Sequence, residues 1–371
     1  MNNDKEVNNT RGEEYNEPFS ESADSIEFKK EKRIYNLCII FLPILILILI
    51  LSIIIYFFLK EPTNKDNLIN DERNENITKN YTIIEKISVD RNDSKPILLF
   101  NVYYTKLKEK IISIKINNKE IQTIDNYYVF NFIGDYTVEI TFNKKLESME
   151  EIFLYCAHIV ELDLSQIDTS LVTTMKEAFY GCTILKKINF NNINTSLVTD
   201  MSNMFKDCKS LTSLDLSNFN TSLVKDMSYM FYSCNQLQFV NVSRFNTENV
   251  YKMEYMFYSC NLSSLDVLNF NTRKTVYIQY MFSKCGNLTS LNISNFDTRE
   301  VVDFSGLFNG NLCLEDIDIS HLYTNKMNFC NDMFVGLPIN GIITINMFNT
   351  NALILNQIPY EWKIRKYFED L

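Results

Sequence analysis

The 371-residue chain has few glycines and histidines, and it lacks the short motifs on which many enzyme classes depend. It contains eight glycines and two histidines. Neither of the glycine-rich phosphate loops, G-x-x-x-x-G-K-[ST] and G-x-G-x-x-G, occurs in it. The motifs H-E-x-x-H and G-x-S-x-G, which mark metalloproteases and α/β-hydrolases, are absent as well. We therefore expect a protein that is not an enzyme and that holds no cofactor.

Signatures of metal and nucleic-acid binding are also missing. None of the nine cysteines forms a C-x-x-C pair. The segment from Glu315 to His321 contains three acids and a histidine, but Asp316 and Asp318 begin a predicted strand of a repeat, so we expect no metal site there. The formal net charge of −10 argues against nucleic acid as a partner, because nucleic acid requires a basic face.

What the chain does contain is a repeat of 26 residues. A phenylalanine recurs at this spacing, except for one step of 25 residues between Phe257 and Phe282, where the missing residue falls between Cys260 and Leu265. A threonine recurs in phase with it, and such a period indicates a repeat architecture. The two columns are Phe153, Phe179, Phe205, Phe231, Phe257, Phe282, Phe308 and Phe334, and Thr169, Thr195, Thr221, Thr247, Thr272, Thr298, Thr324 and Thr350.

Each repeat changes its hydrophobic period once. Met201, Met204, Phe205 and Cys208 are spaced i, i+3, i+4 and i+7, which predicts an apolar stripe on a short helix. Residues 214–217 then alternate apolar and polar side chains, which predicts a short strand. One such unit cannot bury a core alone, whereas stacked units share a core and a parallel sheet. The same strand is predicted around Leu162, Ile188, Val240, Leu265, Leu291, Ile317 and Ile343.

The predicted fold is an α/β solenoid, a leucine-rich-repeat-like right-handed coil of 26-residue repeats with a parallel sheet and short helices. The motif Met-x-x-Met-Phe-x-x-Cys-x-x-Leu-x-x-Leu-Asp-Leu-Ser-x-Phe-x-Thr resembles the BspA-type leucine-rich-repeat surface proteins over residues 146–348. The resemblance implies a surface-displayed solenoid for adhesion or partner binding without catalysis. The last copies depart from the motif, as expected near a terminal cap: Asn311 and Leu337 replace the cysteine, and Cys330 replaces a methionine.

The repeat cysteines admit two interpretations. Equivalent positions of adjacent coils lie about 5 Å apart, a distance that permits a disulfide. Their side chains would all point into the core, which favours a reduced ladder of small apolar residues. The column comprises Cys156, Cys182, Cys208, Cys234, Cys260 and Cys285.

An uncharged apolar run of 23 residues, 37–59, predicts a transmembrane signal anchor. Lys29, Lys30, Lys32 and Arg33 precede it, whereas Lys60 and Lys65 are the near positive charges after it. Because positive charge favours the cytoplasmic side, we expect a single-pass type II membrane protein whose repeats are extracellular or lumenal.

The remaining segments complete the predicted organisation. Residues 1–36 form a disordered cytoplasmic tail, and residues 60–80 a flexible stalk. Residues 81–145 form a small β-rich domain that caps the solenoid of residues 146–350, and residues 351–371, with the single tryptophan Trp362, form the C-terminal cap.

The outward position of each predicted strand alternates between Asp and an uncharged residue, which separates like charges by about 10 Å. This column gives a soluble polar face, and it is compatible with partner binding. The alternative is binding through exposed tyrosines on the predicted helical side, Tyr229, Tyr232, Tyr255 and Tyr258. The predicted partner-binding residues on the strand face are Asp215, Ser217, Asn241, Ser243, Asp266 and Asn292.

These features together predict adhesion or protein recognition at a surface. Two alternatives remain: a signalling receptor whose cytoplasmic tail recruits a partner, and a structural coat component. The ligand would be a protein or another surface, and its identity is not encoded in any motif.

Overall fold

The structure is a computed structural model that describes residues 80–90, 95–101, 107–122, 125–346, 348 and 350–367. These residues belong to one compact unit, Thr78–Leu371. The predicted tail 1–36, the predicted anchor 37–59 and all but the last residue of the predicted stalk 60–80 lie outside the described residues. Within the described part of the chain, no helix combines the length and the apolar character needed to cross a membrane.

The first strands form an antiparallel sheet that continues into the solenoid. They are β1 (Tyr81–Val89), β2 (Ile97–Leu98), β3 (Ile111–Ile116), β4 (Lys119–Glu120), β5 (Tyr127–Tyr128) and β6 (Gly134–Phe142). β1 lies between β6 and β7 (Ile159–Gln166), the strand of the first coil, and is antiparallel to both. β7 in turn pairs in parallel with β8 (Lys187–Asn189), giving a six-stranded sheet of order β4-β3-β6-β1-β7-β8. The N-terminal strands therefore cover the edge that the first coil would otherwise expose.

The later coils contribute short parallel strands. These are β9 (Ser213–Asp215), β10 (Phe239–Asn241), β11 (Ser290–Asn292), β12 (Asp316–Asp318), β13 (Ile342–Asn346) and β14 (Lys363–Tyr367). β9 pairs with β10, and β11 to β14 form a four-stranded sheet. Paired residues are one repeat apart, as Leu214 and Val240 are, except at the C-terminal end, where Ile342 of β13 pairs with Lys363 of β14. The predicted solenoid of 26-residue repeats is confirmed.

The strand predicted around Leu265 is wrong. Residues 264–267 form neither a strand nor a ladder with the neighbouring coils. This coil is the one that is a residue short, and Leu262 takes the buried position that follows Cys260. The shortened connection shifts the backbone out of register with β10. The Ser263 N–H still donates to the carbonyl of Gln238 in the preceding coil, at 3.2 Å.

The predicted short helices also need correction, because consecutive turns occupy their place. In residues 201–208, Met204 N–H donates to the carbonyl of Met201 at 3.3 Å and closes a four-residue turn, and the next turn follows directly. The third positions of the two turns, Asn203 and Asp207, have φ values of 55° and 58°. Positive φ belongs to the third position of a type II turn and interrupts an α-helix.

Hydrogen bonds between coils replace those within a helix. Asn203 N–H donates to the carbonyl of Ser228, and Phe205 N–H to that of Met230, both at 2.9 Å. A chain of parallel bridges on this side joins seven successive coils. The described residues contain one short α-helix, α1 (Ala352–Leu355), so the fold of the described coils is a β-solenoid.

The core is built from ladders of identical side chains. The eight phenylalanines of the repeat column are buried, and successive rings stack with centroids 5.3–6.5 Å apart and interplanar angles of 4–13°. Such stacks add about 0.5–1.5 kcal/mol per pair beyond area burial.

The cysteine column consists of unpaired, buried thiols. From Cys182 onwards each donates to the carbonyl of the phenylalanine one coil earlier, as Cys234 Sγ does to Phe205 O at 3.1 Å, whereas Cys156 Sγ of the first coil donates to Leu99 O at 3.3 Å. Asn311, which replaces the cysteine in a late coil, donates from Nδ2 to Phe282 O at 2.8 Å. The replacement therefore preserves the hydrogen bond that the column makes, which corrects the expectation that the pattern simply frays here.

The threonine column joins the coils at a corner. Thr247 is fully buried; its Oγ1 donates to the carbonyl of Asn271 at 3.0 Å and accepts from the same residue's N–H at 2.7 Å. Thr195 and Thr221 bond in the same way to the next coil. One hydroxyl thus satisfies two backbone groups in these coils, which accounts for a hydroxyl side chain at this position of the repeat.

The C-terminal end is closed by a tryptophan and a basic strand. Trp362 is buried, and its indole N–H donates to Pro338 O at 2.8 Å. Its ring lies against Gly341, where any Cβ would come within 2.4 Å of it. β14 follows and forms the outer strand of the sheet, with lysine and arginine side chains that discourage further strand pairing.

Candidate functional surfaces

The predicted partner-binding residues lie on the strand side of the coils, which we call the strand face. Asp215, Asn241 and Asn292 are the last residues of β9, β10 and β11, whereas Asp266 belongs to the coil that lacks a strand. Ser217 and Ser243 follow two residues after their strand ends. The side chains of all six are exposed or half-exposed.

Hydrogen bonds hold the Asp and Asn side chains in this column. The Ser217 N–H donates to Asp215 Oδ1 at 3.0 Å, an Asx-type turn that ends the strand. Asn241 Nδ2 donates to the same oxygen at 2.9 Å from the next coil. Asn189 donates in the same way to Asp163. Alternation therefore gives each of these acids an amide donor, in addition to separating the charges.

These contacts also stabilise the ionised carboxylate. The hydrogen bonds from Ser217 and Asn241 lower the pKa of Asp215, so the side chain is charged at neutral pH. In Asp163, burial opposes the shift, but hydrogen bonds from Ser165 and Asn189 outweigh it, and the pKa is again lowered. The acids of the strand face thus act first as structural acceptors between coils.

A groove of about 950 Å³ lies at the N-terminal end of the strand face. Its walls include Lys86 of β1, Glu161 of β7, Lys187 of β8 and Asp215 of β9. It follows the break between the six-stranded sheet, which ends at β8, and the two-stranded sheet, which begins at β9. An open groove with both polar and apolar walls suits a peptide segment or a loop of a partner better than a small apolar ligand.

The groove brings together some of the predicted residues. Asp215 and Ser217 line it, whereas the other four predicted residues lie in later coils. Sequence reasoning missed Lys86, Lys186 and Lys187, which supply the positive charge of its walls, with Lys86 paired to Glu161. Lys187 occupies an outward position next to the strand column and could have been found there, whereas Lys86 depends on the pairing of β1 with β7.

The turn side of the middle coils carries a second surface, formed by five stacked tyrosines that we call the tyrosine platform. Tyr255 stacks on Tyr229 and on Tyr280, each at 4.8 Å between centroids. Tyr232 and Tyr258 form a second stack, also at 4.8 Å and with an interplanar angle of 7°. All five side chains are half-buried.

Two lysines lie on the outer ring faces of the platform. Lys206 Nζ is 5.2 Å from the ring centroid of Tyr229 and 5.4 Å from that of Tyr232. Lys284 Nζ is 5.1 Å from the centroid of Tyr258. Each such cation–π contact contributes about 0.5–1 kcal/mol at an exposed site.

The described residues contain no group of three or more His, Cys, Asp or Glu side chains placed to hold a metal ion. In the acidic segment 315–321, Asp318 Oδ1 accepts from the Ser320 N–H at 2.9 Å, the same turn contact that the other strand ends make. His321 Nδ1 lies 3.0 Å from Ser320 Oγ.

Comparisons with known proteins identify a family. Neither the search of curated proteins nor the search of solved structures produced a match. One family model matches residues 147–264 and again residues 260–358, so the two matches cover the repeat region. They span more than half of the chain, and the chain therefore belongs to the family described as "Mycoplasma protein of unknown function, DUF285".

Proposed function

We propose that this chain is a single-pass type II membrane protein that displays its solenoid for adhesion or protein recognition, as the BspA-type surface proteins it resembles are expected to do. The observation that carries the proposal is the strand face with its groove. Its outward side chains are held by hydrogen bonds, either between coils, as Asp215 is by Asn241, or within a coil, as Asn292 is by the Ser294 N–H. Little side-chain entropy is therefore lost when a partner binds.

The membrane part of the proposal rests on the sequence. The run of residues 37–59 is 23 residues long and without charge, and as a helix it would extend about 35 Å, enough to cross a bilayer. The excess of lysine and arginine before this run favours a cytoplasmic N-terminus and an outward-facing solenoid.

The proposal is tested by capture of partners from the outer surface of cells. The bait is the full chain in detergent micelles, and bound proteins are identified after washing. A groove variant reverses two adjacent exposed lysines, Lys186→Glu with Lys187→Glu. A control variant reverses two adjacent exposed basic residues elsewhere, Arg273→Glu with Lys274→Glu.

We expect the wild type and the control to capture the same partner and the groove variant to lose it. Capture of no protein above background by the wild type would overturn the recognition function. Equal capture by the groove and control variants would show that the strand face is not the binding surface.

A further inference from the structure

The tyrosine platform concentrates aromatic side chains at one turn position of adjacent coils. Tyr229, Tyr255 and Tyr280 occupy the third position of a turn, with φ of 57–58°. A left-handed conformation costs a bulky L-residue about 1–2 kcal/mol. The same position in other coils is filled by Asn203 and Gly306, which adopt this conformation more easily, and also by Glu151 and Glu177, each with φ of 56°. What distinguishes the middle coils is that three adjacent ones place an aromatic side chain at this position, which gathers the rings on one surface.

The stacking decides which atoms a partner would meet. Tyr255 has a ring on each face, and Tyr280 lies on Tyr255 and over Gly306, where a Cβ would come within 2.1 Å of it. The outer faces of Tyr229 and Tyr258 are covered by lysine ammonium groups. The ring faces are therefore occupied, and the edges and hydroxyls remain for contact.

These exposed atoms favour acceptors and negative charge. The edge of an aromatic ring carries partial positive charge, and a phenol donates a hydrogen bond. Burial and the neighbouring phenols raise the pKa of Tyr255 to about 12, and burial raises the pKa of Tyr232. The hydroxyls of Tyr232 and Tyr255 thus stay protonated donors over the physiological pH range.

Lysines and acids surround the platform, and they differ in whether they are paired. Lys206 and Lys284 make no ion pair with any residue that the structure describes. The nearby acids Asp207 and Asp226 are paired, with Lys209 at 3.7 Å and with Lys252 at 3.2 Å. Glu254 lies beside Tyr229, and burial raises the pKa of its carboxyl, which favours the neutral form. The platform therefore presents the positive charges of Lys206 and Lys284 on a chain whose net charge is −10.

We propose that the tyrosine platform binds an acidic polypeptide segment of a partner protein, whose carboxylates contact Lys206 and Lys284 and accept hydrogen bonds from the tyrosine hydroxyls. The proposal rests on the recognition function proposed above and adds a second surface to it. Tyrosine, serine and asparagine dominate the platform and its surroundings, a composition that provides rigid contact area at low entropic cost.

Other occupants fit these observations less well. A sugar or a nucleobase would stack on a free ring face, and each face is covered. A second copy related by a two-fold axis at Tyr255 would bring Lys206 towards the other copy's Lys284, because the two lysines lie at opposite ends of the platform, about 15 Å apart. Like charges would then face each other.

The probe is immobilised poly-L-glutamate, with immobilised dextran sulfate as an anionic polymer that is not a polypeptide. Binding of the full chain in detergent micelles is measured by biolayer interferometry at physiological salt. One variant removes the charges, Lys206→Gln with Lys284→Gln. Another removes hydroxyls but keeps the rings, Tyr232→Phe with Tyr258→Phe. The matched control is Arg273→Gln with Lys274→Gln, which removes two exposed positive charges outside the platform.

We expect the wild type and the control to bind poly-L-glutamate alike, the lysine variant to bind about tenfold more weakly, and the Tyr→Phe variant about threefold more weakly. If one variant does not fold, as judged by its melting temperature, the other decides the result. Platform variants that bind like the control would overturn the proposal. So would a wild type that does not bind poly-L-glutamate, or one that binds dextran sulfate at least as tightly.

The outcome also separates this proposal from the proposed function. A chain that captures a partner protein but does not bind poly-L-glutamate through the platform retains the recognition function and loses the acidic-segment proposal. A chain that captures no partner and does not bind poly-L-glutamate loses both.

Discussion

Replacement of Phe231 by alanine should destabilise the solenoid by several kcal/mol. Phe231 is fully buried and stacks between Phe205 at 5.6 Å and Phe257 at 5.3 Å. Truncation of a buried phenylalanine typically costs about 3–5 kcal/mol. The coils cannot close the cavity easily, because Phe231 N–H donates to the carbonyl of Met256 in the next coil at 2.9 Å and fixes the spacing. The loss of two stacked pairs places the expected cost near the upper end of this range.

Urea denaturation of residues 78–371, the compact unit that contains the core, measures this cost. With an m-value of about 3 kcal/mol/M, the midpoint should fall by about 1–1.7 M. The control is Phe239→Ala in the same coil, where the side chain is 52% exposed and the loss should stay below about 1 kcal/mol. If Phe231→Ala shifts the midpoint no more than Phe239→Ala does, the register of the repeat is wrong.

Four further predictions concern topology, thiols, hydrogen bonds and pH. Protease added to intact cells should remove the repeats and spare residues 1–36; protected repeats would contradict the outward orientation. Burial raises the pKa of the Cys234 thiol, so this residue should resist alkylation when folded and react fully after unfolding without reductant; a mass that shows it paired would refute the reduced ladder. Thr247→Val should lower the free energy of unfolding by about 1–3 kcal/mol in urea denaturation, because two backbone groups of Asn271 lose their partner. Thr247→Ser keeps the hydroxyl and should keep most of the stability; equal losses in the two variants would show that Thr247 acts through packing. Glu85 is fully buried and its carboxyl oxygens have no hydrogen-bond partner among the described residues, so its pKa is raised well above 4.5. The folded state then holds this proton more tightly than the unfolded state, and stability should fall as pH rises above about 4.5 until the folded-state pKa is passed. In Glu85→Gln the urea midpoint should depend less on pH in this range. An unchanged dependence would show that other groups cause it.

The repeat and its core could be predicted because identical positions of identical coils face the same environment. The phenylalanine and threonine columns alone identify the coil length and the buried positions. The apolar spacing within a repeat could not distinguish short helices from consecutive turns. The spacing of Met201, Met204, Phe205 and Cys208 fits both, and positive φ falls at positions occupied by residues as different as Asn203 and Tyr255.

The candidate surfaces were predictable to different degrees. The Asp and Asn column was visible, but its bonding depends on the side chain one coil away, as between Asp215 and Asn241. The groove depends on how β1 packs beside β7, which no periodicity in the sequence specifies. The tyrosines were named from sequence as an alternative surface, whereas the covering of their ring faces by Lys206 and Lys284 is a property of the folded coil.

The threonine, cysteine and phenylalanine ladders all join a position to the same position in the adjacent coil. A duplicated 26-residue unit inserted between two middle coils would therefore find the same partner atoms before and after it. Gain or loss of whole units in the gene would lengthen or shorten the protein by about 4.8 Å per unit while every other contact is kept. The 25-residue unit around Cys260 shows that a coil also tolerates the loss of a single residue between its turns and its strand position, although the strand of that coil is then lost. Relatives of this chain can thus differ in the length of the solenoid while they keep the same core.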